Sequence, residues 1–400
     1  MISAYYIFPI FIGLLSLGGF LSRYKFIQNI YLGSVLLIIF GGNRFNGADW
    51  LNYLAEYNRI SEFSDISKVI FESNFEVIFT LFMWFFARLG ADYEYFVFFI
   101  ALLNVFCIIW LINSLNIKNA PFVLIIFILI DGWTLYHEQL RQSIAVTFTL
   151  MAVYFYINSY KKSAYLLIFL AMGFHTSAIF GFFALYISRL VLNNNGEALR
   201  ITKVAFFVII TIVLGILFLY VVRSGVLGGL GFARLQDKVL FYGSDGVYGS
   251  SLFNAGLLAY ILGFLGLMIV RPLVIGRPVL WLSISWTLAL LWCFFGPFLR
   301  SISILIRFEH YMVVFFPFVI GVYFDASRYD FRRLLSSLYI FLFGTTFLIR
   351  ILINPTHQVW VDNYQNIFLN QITGYKLDDV ESRRLEICTQ LDFVGNDFCR

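Results

Sequence analysis

Long stretches with little or no charge recur from one end of the chain to the other. They cover 1–22, 26–42, 95–117, 119–136, 142–160, 204–222, 251–270, 278–299, 311–324 and 334–349, with two less regular runs at 77–90 and 163–188. About 20 apolar residues in an α-helix cross the ~30 Å hydrocarbon core of a bilayer. The expected fold is therefore an all-α polytopic membrane protein with about twelve transmembrane or re-entrant helices. Composition agrees: 60% of the 400 residues are hydrophobic, and 48 are Phe and 24 Tyr, more apolar surface than a soluble core can hide. Little of the chain is left for a soluble domain. One transmembrane domain is expected over 1–353, with extracytoplasmic loops at about 43–76 and 223–250, followed by an extracytoplasmic tail at 354–400.

Charge sets the expected orientation. The formal net charge of +5 is spread over many loops with no basic stripe, so it marks topology and gives no surface for nucleic acid. Arg23 and Lys25, Lys161 and Lys162, Arg271 and Arg277, and the Arg328, Arg332, Arg333 cluster mark cytoplasmic ends. An even number of crossings must then separate Lys162 from Arg271. That requirement makes 163–188 two half-helices meeting at "GFHTS" (173–177), with His175 at the tip of a broken hairpin. Between Arg23 and Lys161 there are five apparent spans, an odd number, so one of them does not cross or the 43–74 loop re-enters the membrane. The first apolar run has no Lys or Arg before Arg23 and no small-residue cleavage site, and is expected to be a retained helix. Cys107 and Cys293 lie inside spans, whereas Cys388 and Cys399 in the tail suit either a disulfide in an oxidising compartment or two thiols.

The polar groups at the span ends need a reason. "HEQLRQ" (137–142) opens an apolar helix, with Glu138 three residues from Arg141 and four from Gln142. Such a pair is favourable at a helix start without any substrate. The same kind of group recurs, however: Arg300 and Arg307 follow the 278–299 span, and His310 and Tyr311 lie one turn beyond Arg307. Arginines gathered from several spans would form an anion funnel, since each offers a permanently charged fork matched to phosphate oxygens. Taken singly, each is also an ordinary snorkelling side chain. His175 is an intramembrane ionisable residue, which is a functional hypothesis by default and a packing residue otherwise. Glu76 suits a helix N-terminus, and Asp49 in "GADW", with Tyr53 four residues on, suits a turn.

The signatures of soluble nucleotide-dependent enzymes are missing, and the four histidines (137, 175, 310 and 357) have no metal-ligand spacing, so no metal or other cofactor is expected. "HQVWVD" (357–362) has a His-x4-Asp spacing found in some acyltransferases, but no domain surrounds it.

The order of these motifs carries more than any one of them. "RFNGADWLNY" (44–53), "FE" (75–76) opening a helix, "LRQSIA" (140–145), "LAMGFHTSAI" (170–179) and "RFEHY" (307–311) together resemble the EpsG-like branch of the Wzy-type bacterial O-antigen and capsule polymerases. Ser143, where Gly is common, and the tail beyond Tyr364 depart from that pattern. The resemblance implies a metal-independent, inverting glycosyltransferase of the bacterial inner membrane, with its active site facing the periplasm or cell exterior. It would move a growing glycan from undecaprenyl diphosphate onto the next lipid-linked oligosaccharide repeat unit, working beside a flippase and a chain-length regulator.

The residues suit that chemistry on their own terms. A departing diphosphate needs fixed cations, which Arg141 and Arg307 can supply with Arg44 and Arg300. The attacking sugar hydroxyl needs a base, for which Asp49, His175 and Glu138 are candidates. The expected catalytic set is Asp49, Arg141, His175 and Arg307. The expected substrate contacts are Arg44, Tyr53, Glu76, Glu138, Gln142, Arg300, His310 and Tyr311, with Glu138 holding Arg141 and Gln142 assisting at the diphosphate. Three other readings remain: a ligase using the same donor, a flippase, for which two matching broken spans would be expected, and a membrane acyltransferase.

Overall fold

The computed structural model describes residues 4–46, 49–117, 119–204, 255–276, 279–300, 306–326, 364–373 and 379–393, with 206, 209 and 213. Among the described residues the structure is helical apart from one isolated bridge, between Asn43 and Asn366. Among the described residues four segments are long and apolar enough to cross a membrane: Tyr93–Ser114, Leu140–Ile157, Thr176–Asn193 and Leu280–Leu299. Shorter apolar helices accompany them. The expected runs at 204–222 and 334–349 lie largely or wholly outside the described residues, as do the loop at 223–250, the "HQVWVD" segment and the side chain of Arg300.

The chain opens with a hairpin of α1 (Ala4–Leu17) and α2 (Lys25–Gly41), tied by the Tyr31 hydroxyl donating to Leu14 O at 2.8 Å. Two short polar-faced helices follow, α3 (Asp49–Ser61) and α4 (Ile66–Glu72). Next come α5 (Val77–Arg88) and α6 (Tyr93–Ser114). The 22 residues of α6 give about 33 Å of helix, enough to span, whereas the 12 of α5 give only about 18 Å.

Helix α5 bears on the odd number of apparent spans. At its start Phe75 and Phe79 pack on Tyr53 of α3. Near and beyond its end Trp84 donates to Phe63 O at 3.0 Å, and Ala91 O accepts from the Tyr57 hydroxyl at 2.7 Å. Both ends of α5 thus rest on one short stretch around α3, at the end of the bundle where α6 begins. The 12 residues of α5 are too few to cross a bilayer as a single helix.

Next come α7 (Ala120–Phe127), a π-turn at Ile128–Gly132 and α8 (Trp133–His137), followed by α9 (Leu140–Ile157). Then α10 (Lys161–Phe174) and α11 (Phe180–Asn193) form the expected hairpin, with His175 in extended conformation (φ −154°, ψ 123°) ahead of a 3-10 turn at Thr176–Ile179. Helix α11 returns along α10: the Phe182 ring lies 5.5 Å from Phe169, and Gly181 sits against Ile168 so closely that a Cβ there would collide with it. Gly173 near the tip lets Ile78 of α5 approach in the same way.

The second half contributes α12 (Ala255–Gly276), α13 (Leu280–Arg300), α14 (Ile306–Val313) and α15 (Phe316–Ala326). Their buried Trp286, Trp292, Phe315 and Phe316 continue the main core built on α2, α6, α7 and α9. A second cluster forms a roof over one end of the bundle: Phe45, Trp50, Tyr53, Tyr57, Phe79, Phe96, Ile144 and Phe174. In lipid, where hydrophobic exclusion does not hold helices together, such ring packing matters more, and an aromatic pair contributes about 0.5–1.5 kcal/mol beyond its area.

The tail belongs to this roof. Tyr364–Asn366 lead into α16 (Ile367–Thr373) and, further on, α17 (Val380–Phe393). Ile387 of α17 is fully buried in the aromatic cluster. Cys388 is disulfide-bonded, while Cys107 and Cys293 are free; Cys399, the other tail cysteine, lies outside the described residues.

Candidate functional site

The roof end of the bundle gathers polar side chains from five separate segments. Arg141 lies in the first turn of α9, 17% exposed, with its guanidinium 4.3 Å from the Phe75 ring centroid. Its Nη1 donates to Glu76 Oε2 at 2.5 Å. Glu76 caps α5, and its other oxygen accepts from the backbone N–H (3.0 Å) and hydroxyl (3.3 Å) of Thr176. One carboxylate therefore joins the arginine to the hairpin tip. The sequence expectation that Glu138 holds Arg141 is corrected here: the partner comes from 65 residues away, and Glu138 lines a small cavity with Asn43, Tyr53 and His137. Arg141 Nε is buried without a hydrogen-bond partner among the described residues. Such a donor is one that an anion bound here could engage.

His175 stands at the tip. Its Nδ1 accepts from the Ser177 N–H at 3.1 Å and lies 2.6 Å from Ser177 Oγ, which is 3.0 Å from the Tyr311 hydroxyl. An Nδ1 that accepts a backbone N–H leaves the neutral ring's proton on Nε2. His175 is thereby set as a donor, contrary to its expected candidacy as the base.

Arg307 opens α14, and Gln142 Nε2 donates to its carbonyl oxygen at 2.5 Å. Gln142 is thus a brace between α9 and α14, a correction to its expected contact with the diphosphate. The expected substrate role of His310 is likewise replaced by a protein partner: its Nδ1 lies 2.6 Å from Asp131 Oδ2, both side chains being buried. Asp131 sits on the π-turn, a form of helix that concentrates at functional sites. Sequence reasoning passed over it inside the 119–136 span, although a lone carboxylate in an apolar helix is itself a signal. Glu309, also passed over, accepts from the Tyr260 hydroxyl at 2.9 Å and Trp292 Nε1 at 2.8 Å.

Asp49 and Tyr53 face this group from α3. Burial raises the Asp49 carboxyl above its usual range, and the nearby Arg141 and Arg307 guanidiniums only partly oppose the rise. Burial also pushes the Tyr53 hydroxyl up to about 12 against the pull of Arg141. Asp49, Tyr53, Glu76, His175 and Tyr311 therefore each lie within contact or electrostatic reach of Arg141, Arg307 or both. Arg44 is engaged elsewhere, 3.4 Å from Glu94. Among the described residues no three His, Cys, Asp or Glu side chains are grouped to hold a metal ion.

This constellation can bind an anion between two arginines, donate a hydrogen bond from His175 and accept a proton at Asp49. No curated protein and no solved structure matches the chain. The EpsG family model matches residues 26–366, a stretch that contains every one of these side chains. With the match extending over most of its length, the chain belongs to the EpsG family.

Proposed function

We propose that the chain is a membrane glycosyltransferase that polymerises a bacterial surface polysaccharide from repeat units carried on undecaprenyl diphosphate. Family membership supports a polysaccharide polymerase role, and the orphan Nε of Arg141 beside Arg307 is the observation that carries the donor class. In the proposed step, the Arg141 and Arg307 guanidiniums hold the diphosphate of the donor. A hydroxyl of the acceptor repeat unit attacks the anomeric carbon of the growing chain and gives its proton to Asp49. The bond from that carbon to the diphosphate oxygen breaks with inversion, and the electron pair leaves with undecaprenyl diphosphate. Positive charge fixed in advance where negative charge develops is the usual largest contribution to such a rate. His175 Nε2–H adds a neutral donor.

The same reading places the chain in the inner membrane with the site facing outward. Lys25 and Asn116, joined at 2.5 Å, and the Lys161–Lys162 pair lie at the opposite ends of α2, α6 and α10 from the site, as a cytoplasmic surface would. A disulfide at Cys388 suits an oxidising compartment. The transmembrane domain of 1–353, the lipid-linked repeat unit, and a flippase and chain-length regulator as working partners all belong to this proposal.

The test is a surface-polysaccharide gel of a strain lacking the gene, complemented with wild type, Arg141→Ala or Arg141→Lys. Wild type is expected to restore a ladder. Arg141→Ala is expected to leave a single repeat, and Arg141→Lys, which keeps the charge but loses the fork, a weak ladder of short chains. Loss of every repeat from the surface of the deletion strain would instead mean transport or ligation.

A further inference from the structure

The 42–46 segment is hydrogen-bonded both to residues at the end of the family match, which stops at 366, and to residues beyond it. Asn46 and Gln365 are linked both ways: the Gln365 N–H donates to Asn46 Oδ1 at 2.9 Å, and Asn46 Nδ2 donates to Gln365 O at 2.7 Å. The Arg44 N–H also donates to Gln365 O at 3.2 Å, and the Ile367 N–H donates to Gly42 O at 2.9 Å. Fifteen or so residues further on, α17 returns to the same place. Arg383, with no exposed side-chain surface, donates from Nε to Phe45 O at 3.2 Å and from Nη1 to Glu386 at 2.6 Å. One turn later Ile387 enters the cluster of Trp50, Tyr53 and Tyr57.

A fully buried arginine is costly unless its surroundings require it, and this one is aimed at a backbone carbonyl four residues before Asp49. Phe45 has φ 53°, a left-handed conformation that a bulky residue holds only where neighbouring contacts over-determine it. Both of its sides are held by the tail, through Arg44 and Asn46, and its own carbonyl is held by Arg383. The backbone at 44–46, a few residues before Asp49, is therefore held by a strap that begins at the end of the family match and continues past it.

We propose that residues 364–373 and 379–393 are a positioning strap for the catalytic segment and that Arg383 is its positioning residue, acting through Phe45 on Asp49 and Tyr53. This rests on the polymerase reading of the site. Arg141, Arg307 and the hairpin tip are carried by α9, α14 and the turn between α10 and α11, and Arg141 is bonded to Glu76 of α5 and not to the strap. Loosening the strap should leave donor binding intact and slow the transfer step. A displacement of about 1 Å at a reacting group can lower a rate on the order of 10²-fold.

The test uses the full chain in membranes and the lipid-linked repeat unit extracted from the strain lacking the gene. Arg383→Met is expected to lower kcat by about 10²-fold with the KM for that substrate within about twofold of wild type. Arg383→Lys, which can still donate to Phe45 O, is expected to recover a large part of the loss. Asn46→Ala loosens the same strap from the other side and is expected to show the same kcat-only pattern, which covers the case in which Arg383→Met does not fold. Wild-type turnover in either variant overturns the proposal. So does a loss that tracks folded protein alone, or a rise in KM equal to the fall in kcat. If wild type itself makes no polymer from the extracted substrate while Arg141→Ala behaves identically to it, the polymerase reading fails, not the strap.

Discussion

Neutralising Glu76 while keeping its shape separates a structural ion pair from a substrate site. In Glu76→Gln the amide oxygen can still accept from Thr176, so the contact with the hairpin tip survives and the change falls on the Arg141 charge. Removing one partner of a buried pair costs about 3–5 kcal/mol because the other charge is left uncompensated. With 17% of Arg141 and 14% of Glu76 still exposed, the lower end of that range is the expected loss of stability. An anion that binds the same guanidinium should restore part of it. In wild type the anion competes with the Glu76 carboxylate, and in the variant it does not, so affinity should rise; each tenfold gain contributes about 1.4 kcal/mol, and a ligand stabilises the folded state by RT ln(1 + [L]/Kd). The assay is the apparent melting temperature of purified full-length protein with and without millimolar pyrophosphate. Glu76→Gln should melt well below wild type without the anion, and the gap should narrow with it, while Arg141→Ala should respond least. An unchanged gap would refute the diphosphate assignment and leave Arg141–Glu76 as a structural pair.

Two further outcomes follow from the same geometry. Ser177→Ala removes the hydroxyl that engages His175 Nδ1 but keeps the backbone donor; a fall in polymer yield of about tenfold is expected, the worth of a charge-neutral hydrogen bond of ~1.4 kcal/mol, and a full ladder would remove the histidine from the reaction. Asp49 must be ionised to accept a proton, and burial places its titration above the usual carboxylate range, so turnover should fall as pH drops through that raised value. The sign for stability is opposite: the folded state holds the Asp49 proton more tightly than the unfolded one, so this group favours folding below its ordinary pKa and disfavours it as pH rises through the folded one. Asp49→Asn should abolish the acid limb of residual turnover, measured as the pH profile of ladder formation in isolated membranes; an unchanged limb would assign it to another group.

What sequence made legible was the arithmetic of crossings and the ends of spans. Parity of charge placed His175 at the tip of a broken hairpin and asked for one non-crossing span or a re-entrant 43–74 loop before Lys161, where α5 is a helix too short to cross. Asp49, Arg141, His175 and Arg307 were legible as candidates because ionisable groups near apolar helices are rare. Their partners were not. Glu138 is three residues from Arg141 and looked like its mate, because spacing along a helix shows only neighbours three or four residues away; Glu76 reaches Arg141 only because α5 folds back under α3. Asp131 and His310 are 179 residues apart, and nothing local to either announces the other. The tail was illegible for a further reason: its contacts with 42–46 are mostly to backbone atoms, which leave no mark on residue type.

The broken hairpin shows why site and fold are hard to alter separately in this chain. Interrupting a helix within the membrane frees backbone N–H groups that lipid cannot satisfy. Here the Thr176 N–H is taken by Glu76 and the Ser177 N–H by His175. The groups that pay for the break are the ones that orient Arg141 and fix the His175 tautomer. A helix continued through 173–177 would need none of these acceptors, but it would carry His175 along the span with no turn to present it beside Arg141. The polar tip is therefore stable because the site residues complete it, and the site exists because the tip is polar. Substitutions at Glu76 or Ser177 should accordingly lower stability and turnover together, whereas Arg141→Lys and Asp49→Asn, which leave both acceptors in place, should act mainly on turnover.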